Sequence, residues 1–301
     1  MSFPYLSDVV RVGLGVNVPL PIPMFGLCVA LAVMLAAYAF SLNVRRAEAL
    51  DRLPAGSHRI AGDLAAVTLL AGIIGARVFD ILDHLPEFAA DPAALIFSRG
   101  GFSIYGGLVF GFGAGVWLLR RRRIPVAPML DRIAPALLLG YAVGRIGCQI
   151  SGDGDWGIAA NLALKPEWLP TWFWAQTYQG NIVGQVISPP GVYPTPIYES
   201  VAALLMFSIL QWWSRRPRPL GSVFALYLLG TGFARLLIEK IRVNPRINFL
   251  GAAFTQAELI SVCLILIGIG MLVMALPRES RWLRLFLPLG LIALLSACVA
   301  I

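Results

Sequence analysis

The residues best equipped for chemistry are three arginines and two glutamates placed at or near the ends of apolar runs. Arg145 sits between glycines in Gly144-Arg145-Ile146-Gly147, and Cys148, Gly152, Asp153, Gly154, Asp155, Trp156 and Gly157 follow closely. An arginine at the centre of a membrane costs ~2.5–3.5 kcal/mol on insertion scales, and less near an interface that it can reach by snorkelling. Flanking glycines let a ligand approach the backbone, and a guanidinium grips a phosphate bidentately. Arg145 therefore suits an anionic headgroup. The competing reading is a structural ion pair with Asp131 or Asp153. A second group, Arg235, Glu239 and Arg242, is spaced to lie on one helical face. An exposed i, i+4 pair is worth only ~0.3–0.5 kcal/mol. At the end of an apolar helix such a trio needs mutual pairing or a ligand. Glu199 follows Tyr198 at the head of another apolar run, where it is either part of the same chemistry or a plain carboxylate favoured by the helix dipole.

Other features have plainer readings beside functional ones. The run Gly100-Gly101-Phe102-Ser103-Ile104-Tyr105-Gly106-Gly107 and the pair Gly72 and Gly75 fit small-residue seams between membrane helices. Arg77, inside an apolar run, needs a partner such as Asp80 or Asp131. The four cysteines are widely spaced and form no CxxC pair, so neither a disulfide framework nor a metal site is expected. Cys148 reads as a packing thiol, with a reactive thiol as the alternative. His58 and His84 stand alone, His84 on the side that carries the other candidate groups.

The elements that must position these residues are helices. Hydrophobic residues make up 58% of the chain and charged ones only 13%, with a mean hydropathy of +0.77. A soluble domain carries roughly 25% charged residues, so a water-facing exterior for this length of chain is excluded. Apolar runs fall at about residues 20–42, 63–82, 102–119, 128–150, 196–213, 220–239, 256–276 and 284–301, most of them long enough as helix to cross ~30 Å of hydrocarbon. The expected fold is all-α: a polytopic transmembrane helical bundle of seven spans, with an eighth C-terminal apolar segment. Residues 1–283 form the membrane domain, 151–195 an external loop subdomain, and 284–301 a segment that either spans or lies on the membrane. The N-terminus lacks the basic region and short apolar core of a cleaved leader.

The net charge of +8 is almost all arginine, gathered in short runs between spans, which points to topology and anionic lipid rather than nucleic acid. Arg45, Arg46, Arg52 and Arg59, then Arg120 to Arg123, then Arg215, Arg216 and Arg218, then Arg278, Arg281 and Arg284 follow alternate spans. These linkers are expected on the cytoplasmic side. Arg235, Glu239, Lys240, Arg242 and Arg246 break the pattern by clustering on the opposite face. The external linker carries Trp156, Trp168, Trp172 and Trp174, suited to a lipid–water interface.

Three ordered blocks resemble the prolipoprotein diacylglyceryl transferases. They are Gly144 to Gly157, the segment Pro194-Thr195-Pro196-Ile197-Tyr198-Glu199, and Gly232-Phe233-Ala234-Arg235-Leu236-Leu237-Ile238-Glu239 with Arg242. The resemblance covers most of residues 18–276. It implies transfer of the diacylglyceryl group of phosphatidylglycerol to the lipobox cysteine thiol of a preprolipoprotein. A thioether forms and glycerol phosphate is released at the outer face of the bacterial cytoplasmic membrane, with no cofactor. By resemblance, Arg145 and Arg235 hold the phosphate and offset charge on the leaving group, with Glu239 and Arg242 orienting them. Gly144, Gly147, Gly152, Asp153, Trp156, Gly157, Glu199 and Asp131 join the phosphatidylglycerol-binding set. Partners are then phosphatidylglycerol, the lipobox segment and membrane lipids.

The chain departs from the family pattern twice. Tyr105 stands where the commonest motif has histidine, and Cys148 replaces an asparagine, with one extra residue before the tryptophan. Tyrosine, with a pKa near 10, is a poor base at neutral pH but donates a hydrogen bond. If the family histidine deprotonates the thiol, that role is vacant here or moves to Glu239, Glu199 or His84. A paralogue lipidating another acceptor, and an anionic-lipid transporter or binder, are the alternatives. A transporter would show repeat symmetry that is not evident here.

Overall fold

A computed structural model describes residues 2–18, 22–96, 103–244, 246–249, 252–275, 288, 290 and 291. In chain order the elements are α1 (Leu6–Leu14), α2 (Met24–Glu48), α3 (Ile60–Asp83), α4 (Leu85–Ala90), α5 (Pro92–Ile96), α6 (Ile104–Arg121) and α7 (Val126–Ser151). Then come α8 (Thr171–Trp174), α9 (Thr195–Ser214), α10 (Ser222–Glu239), β1 (Arg246–Phe249), β2 (Ala252–Thr255) and α11 (Gln256–Ala275). Two compact units result: Met1–Ala36 with Asp131–Ile301, and Ala37–Leu130.

Seven helices of 18 to 26 residues occupy the first seven apolar runs. Five of them, α2, α3 with the turn that leads into it, α7, α10 and α11, are long and apolar enough to cross a membrane. Large apolar side chains such as Leu70, Ile74, Ile267 and Met274 stay exposed, a surface that suits lipid rather than water. The chain is a multi-pass membrane protein. The eighth apolar run, residues 284–301, lies outside the described residues apart from 288, 290 and 291. One element was not expected in an all-α fold. β1 and β2 pair antiparallel between α10 and α11, with Arg246 opposite Thr255 and Phe249 opposite Ala252. A short hairpin lets the backbone groups of that linker find partners in each other.

In the Ala37–Leu130 unit, α3 and α6 meet along glycines. A Cβ at Gly75 would run into the Gly106 carbonyl and the Phe110 ring, and one at Gly111 would come within 3.2 Å of the Thr68 carbonyl. Backbones approach this closely only where side chains are missing, so the glycines form the packing seam. Arg77 finds its partner in Asp80, with Nη1 to Oδ2 at 3.2 Å, and also reaches the Leu95 carbonyl.

In the larger unit, α7, α9 and α10 enclose Ala134, Leu138, Ala142, Ala203, Leu210 and Val223. Leu229, Leu236, Ile265 and Ile269 join α10 to α11. The start of α10 is capped from a distance. The buried Asp131 carboxylate accepts hydrogen bonds from the backbone N–H groups of Gly221 at 2.8 Å and Phe224 at 2.9 Å. Those N–H groups have no partner within the helix, and a carboxylate there also meets the positive end of the dipole.

The long linker between α7 and α9 is mostly irregular but closely tied. Gly157 N–H donates to the Tyr193 carbonyl at 2.9 Å and Ile158 N–H to the Ile241 carbonyl at 2.8 Å. The Tyr178 hydroxyl donates to Gln149 at 2.7 Å, and Gln149 donates to Gln176 at 2.7 Å. The four tryptophans divide. Trp156 is buried against Tyr178, with ring centroids 5.0 Å apart, while Trp168 and Trp172 are exposed. Trp174 donates its indole N–H to the Asn161 carbonyl.

Candidate active site

Within the larger unit, the C-terminal turns of α7, the first turns of α9, the last turns of α10 and Arg242 just past its end bring their charges together. Helix α10 stops at Glu239, so Arg242 bridges to Gly157 instead of lying on the expected helical face. Glu199 is the hub, because all three arginines reach its carboxylate. Arg145 Nε lies 3.0 Å from Oε2, Arg235 Nη1 donates to Oε1 at 2.9 Å, and Arg242 Nη1 lies 3.5 Å from Oε2. Asp155, from the loop after α7, spans two of them. Its Oδ1 accepts from Arg242 Nη2 at 2.6 Å, and its Oδ2 contacts Arg145 Nη1. Glu239 pairs with Arg235 Nη2 at 3.2 Å, one turn along the same helix, and accepts from Asn244 at 2.6 Å. The three guanidiniums are thus matched by three carboxylates.

The balance of charge is not a balance of hydrogen bonds. Glu199 Oε2, Glu239 Oε2 and Arg242 Nη1 are buried and face opposite charge without an aligned hydrogen bond. Buried groups left in this way lose much of the energy that a good partner would supply. Of the three, only Arg242 Nη1 is a donor, and it is the one that an incoming anion's oxygen can use. Arg235 is the most exposed of the three arginines, its side chain 26% exposed against 14% for Arg145 and 9% for Arg242.

Two members of the cluster were not among the expected site residues. Tyr141 lies one turn before Arg145 on α7. Its hydroxyl accepts from Arg145 Nε at 3.0 Å and donates to Glu199 Oε1 at 2.9 Å. The i, i+4 spacing to Arg145 was the available signal. Asp155 is the other. Burial alone would raise its pKa, but the Arg145 and Arg242 guanidiniums outweigh that and hold the carboxyl below the usual range.

The remaining expected residues are scattered in role. Arg145 pairs with Asp155 and Glu199 rather than with Asp131 or Asp153. Asp131 does not join the cluster. It caps α10, and 14 residues of helix separate it from Arg145, about 21 Å at 1.5 Å per residue. Asp153 accepts from the Asp155 N–H at 3.2 Å and so shapes the loop. A Cβ at Gly147 would press on Cys28 at 2.7 Å, and one at Gly157 on the Ile241 carbonyl at 2.5 Å. Gly152 turns with φ +63°, while Gly144 faces open space. Glycine there serves packing at two positions, a turn at one and access at the last. Tyr198, beside Glu199, donates to the Phe173 carbonyl at 2.7 Å and holds the linker.

Cys148 is buried, and Arg145 Nη1 approaches its sulfur at 3.7 Å. Its thiol and the carboxylates of Asp153 and Asp155 lie within 4.8 Å of one another, but the Arg145 guanidinium already supplies the positive charge there. Tyr105 belongs to the other unit, in the first turn of α6, and is half-buried. His84, also in that unit, caps α3. Its Nδ1 lies 2.9 Å from the Asp80 carbonyl, and that bond raises its pKa.

Residues 12–274 match the prolipoprotein diacylglyceryl transferase family. Curated relatives agree. The chain is 31% identical over 197 residues to the phosphatidylglycerol–prolipoprotein diacylglyceryl transferase of Leptospira interrogans, and the match covers 58% of each chain. It is 32% identical over 241 residues to the enzyme of the same name from Corynebacterium efficiens, covering 75% of this chain and 70% of the relative. With that of Staphylococcus carnosus it shares 28% over 257 residues, covering 85% and 86%. The chain therefore spans a little over half the length of the Leptospira protein and most of the other two. Because the family match runs from α1 nearly to the end of α11 and takes in every member of the charged cluster, the chain belongs to the prolipoprotein diacylglyceryl transferase family.

Proposed function

We propose that this protein transfers the diacylglyceryl group of phosphatidylglycerol to the lipobox cysteine thiol of preprolipoproteins. The observation that carries this reading is the meeting of Arg145, Arg235 and Arg242 at Glu199, with donor capacity left over. Convergent guanidiniums bind a phosphate and stabilise charge that grows on it. The names of the relatives supply the donor and the acceptor.

The sulfur of the acceptor attacks the glyceryl carbon, and a C–S bond forms. The C–O bond to the phosphate breaks, its electron pair passes to the phosphate oxygen, and glycerol phosphate leaves. The thiol proton passes to water, so that the sulfur attacks as thiolate. The guanidiniums of Arg145 and Arg235 offset the leaving charge, and Glu199 and Glu239 orient them. The Glu239 side chain is fully buried and engaged with Arg235 and Asn244, which favours orientation over proton uptake. His84 is engaged in capping. On the resemblance alone, we assign Tyr105, at the position of the family histidine, a hydrogen bond to the acceptor thiol. Trp156 and Asp153 shape the loop beside the site, and Gly144 leaves room for the headgroup. In this reading α6 and α9 complete seven spans, and the cluster faces outward from the bacterial cytoplasmic membrane.

The test is purified protein with phosphatidylglycerol and a lipobox peptide, read as glycerol phosphate release and the mass gain of the peptide. Arg145→Ala and Arg235→Ala should each lower turnover by at least about a hundredfold, the scale of losing one charge-stabilising donor. Near-normal turnover in both variants would remove their assigned role. Lipid binding without any release would make the protein a binder or transporter. Release that needs a different acceptor would make it a paralogue.

A further inference from the structure

Asp155 bridges the two arginines as a phosphate ester would. Its two oxygens divide between two guanidiniums, Oδ1 to Arg242 Nη2 and Oδ2 to Arg145 Nη1. The two non-bridging oxygens of a phosphodiester present a similar pair of acceptors. We propose that Asp155 is a stand-in for the substrate phosphate, and that an incoming phosphate ester exchanges with its carboxylate at Arg145 and Arg242. The inference rests on the reading that this cluster takes a phosphate ester.

Three observations single out Asp155 among the three carboxylates. Its side chain is 34% exposed, against 4% for Glu199 and 0% for Glu239, so it alone can turn toward water. Glu199 is held by three guanidiniums and by Tyr141, and Glu239 by Arg235 and Asn244. Asp155 answers only to the two arginines. The backbone of Asp155 is fixed as well. Its carbonyl accepts from Thr195 at 2.6 Å and its N–H donates to Asp153. Exchange therefore needs only rotation of one short side chain, not movement of the loop.

The exchange also has a physical advantage. A guanidinium in a low-dielectric site is costly to leave without an anion. Trading one anion for another keeps Arg145 and Arg242 neutralised throughout. Arg242 Nη1, buried and without an aligned hydrogen bond, gains an acceptor only when the larger anion arrives. The rival view, in which Asp155 merely holds the two arginines in place, predicts the opposite response to its removal.

The experiment uses the full chain in detergent micelles and measures affinity for glycerol phosphate, for inorganic phosphate and, separately, for phosphatidylglycerol in mixed micelles. Asp155→Asn keeps the shape and removes the charge. It should bind glycerol phosphate about fivefold or more tightly than the native chain, roughly 1 kcal/mol. It should also lower the KM for phosphatidylglycerol. Asp155→Glu, still anionic, should gain nothing. Asp155→Ala is the second variant should the asparagine form not fold, with the same direction expected. Unchanged or weaker binding in the neutral variants would overturn the stand-in role while native binding upholds the phosphate site. Absence of phosphate ester binding in native and variant chains alike would overturn both. A gain for the soluble esters only would assign the exchange to product rather than lipid.

Discussion

The hydroxyl of Thr195 donates a 2.6 Å hydrogen bond to the carbonyl of Asp155, with Thr195 wholly buried at the head of α9. That bond fastens the loop carrying one carboxylate to the helix that carries Glu199 one turn later. Thr195→Val keeps the shape and removes the donor, leaving a carbonyl short of its partner at a cost of about 1–3 kcal/mol. Turnover should fall severalfold in Thr195→Val and remain near native in Thr195→Ser. Equal rates in the two variants would show that the bond does not position the site.

Tyr141 offers a sharper separation of binding from chemistry. Its hydroxyl links Arg145 to Glu199, so Tyr141→Phe leaves both charges and their direct contact in place and removes only the hydroxyl between them. The expectation is a fall in kcat of about tenfold, equivalent to ~1.4 kcal/mol, with little change in the KM for phosphatidylglycerol. Tyr141→Gln, whose amide both donates and accepts, should recover part of the loss. A Phe variant with native kcat would show the bridge to be incidental.

In the proposed reading Tyr105 hydrogen-bonds the acceptor thiol, and the two directions of change there are informative. Tyr105→Phe should lower turnover at every pH by removing the hydroxyl. Tyr105→His introduces a group that titrates near pH 6.5. Its rate should therefore fall below about that pH and exceed the rate of the Phe variant above it. A pH–rate profile of the three forms is the measurement. Identical profiles would remove Tyr105 from the step.

Asp131 provides a contrast to the site residues. Asp131→Ala strips the cap from the Gly221 and Phe224 N–H groups and should lower the melting temperature, because a lost cap costs about 0.5–2 kcal/mol. Below that temperature, the KM for phosphatidylglycerol should stay native. A raised KM would return Asp131 to the lipid-binding set.

What could be read in the sequence followed from locality. Apolar runs declare helices because a helix must hide its backbone from lipid within a single segment, and seven long helices appear on those runs. Arg235 and Glu239 were visible as partners because four residues on one helix are neighbours. Arg145 was visible as a charge out of place, but its partners were not. Glu199 is 54 residues away in sequence, and only packing of α7 against α9 brings the two together. Asp131 had looked like a site residue for the same reason, since nothing local says that it reaches 90 residues ahead to cap α10. The hairpin after α10 went unread because four residues per strand carry too little pattern to separate from a loop.

The matched charges of the cluster also have an order along the chain. Synthesis delivers Arg145 first, then Asp155, Glu199, Arg235, Glu239 and Arg242. Counting only these six, the running sum goes from positive to zero, to negative, to zero, to negative and back to zero. At no stage does the growing chain hold more than one unmatched charge from this site. Each newcomer after the first either cancels what is already there or waits for a single successor. A site made of six ions can thus be laid into a membrane without the nascent protein ever carrying more than one of them unbalanced.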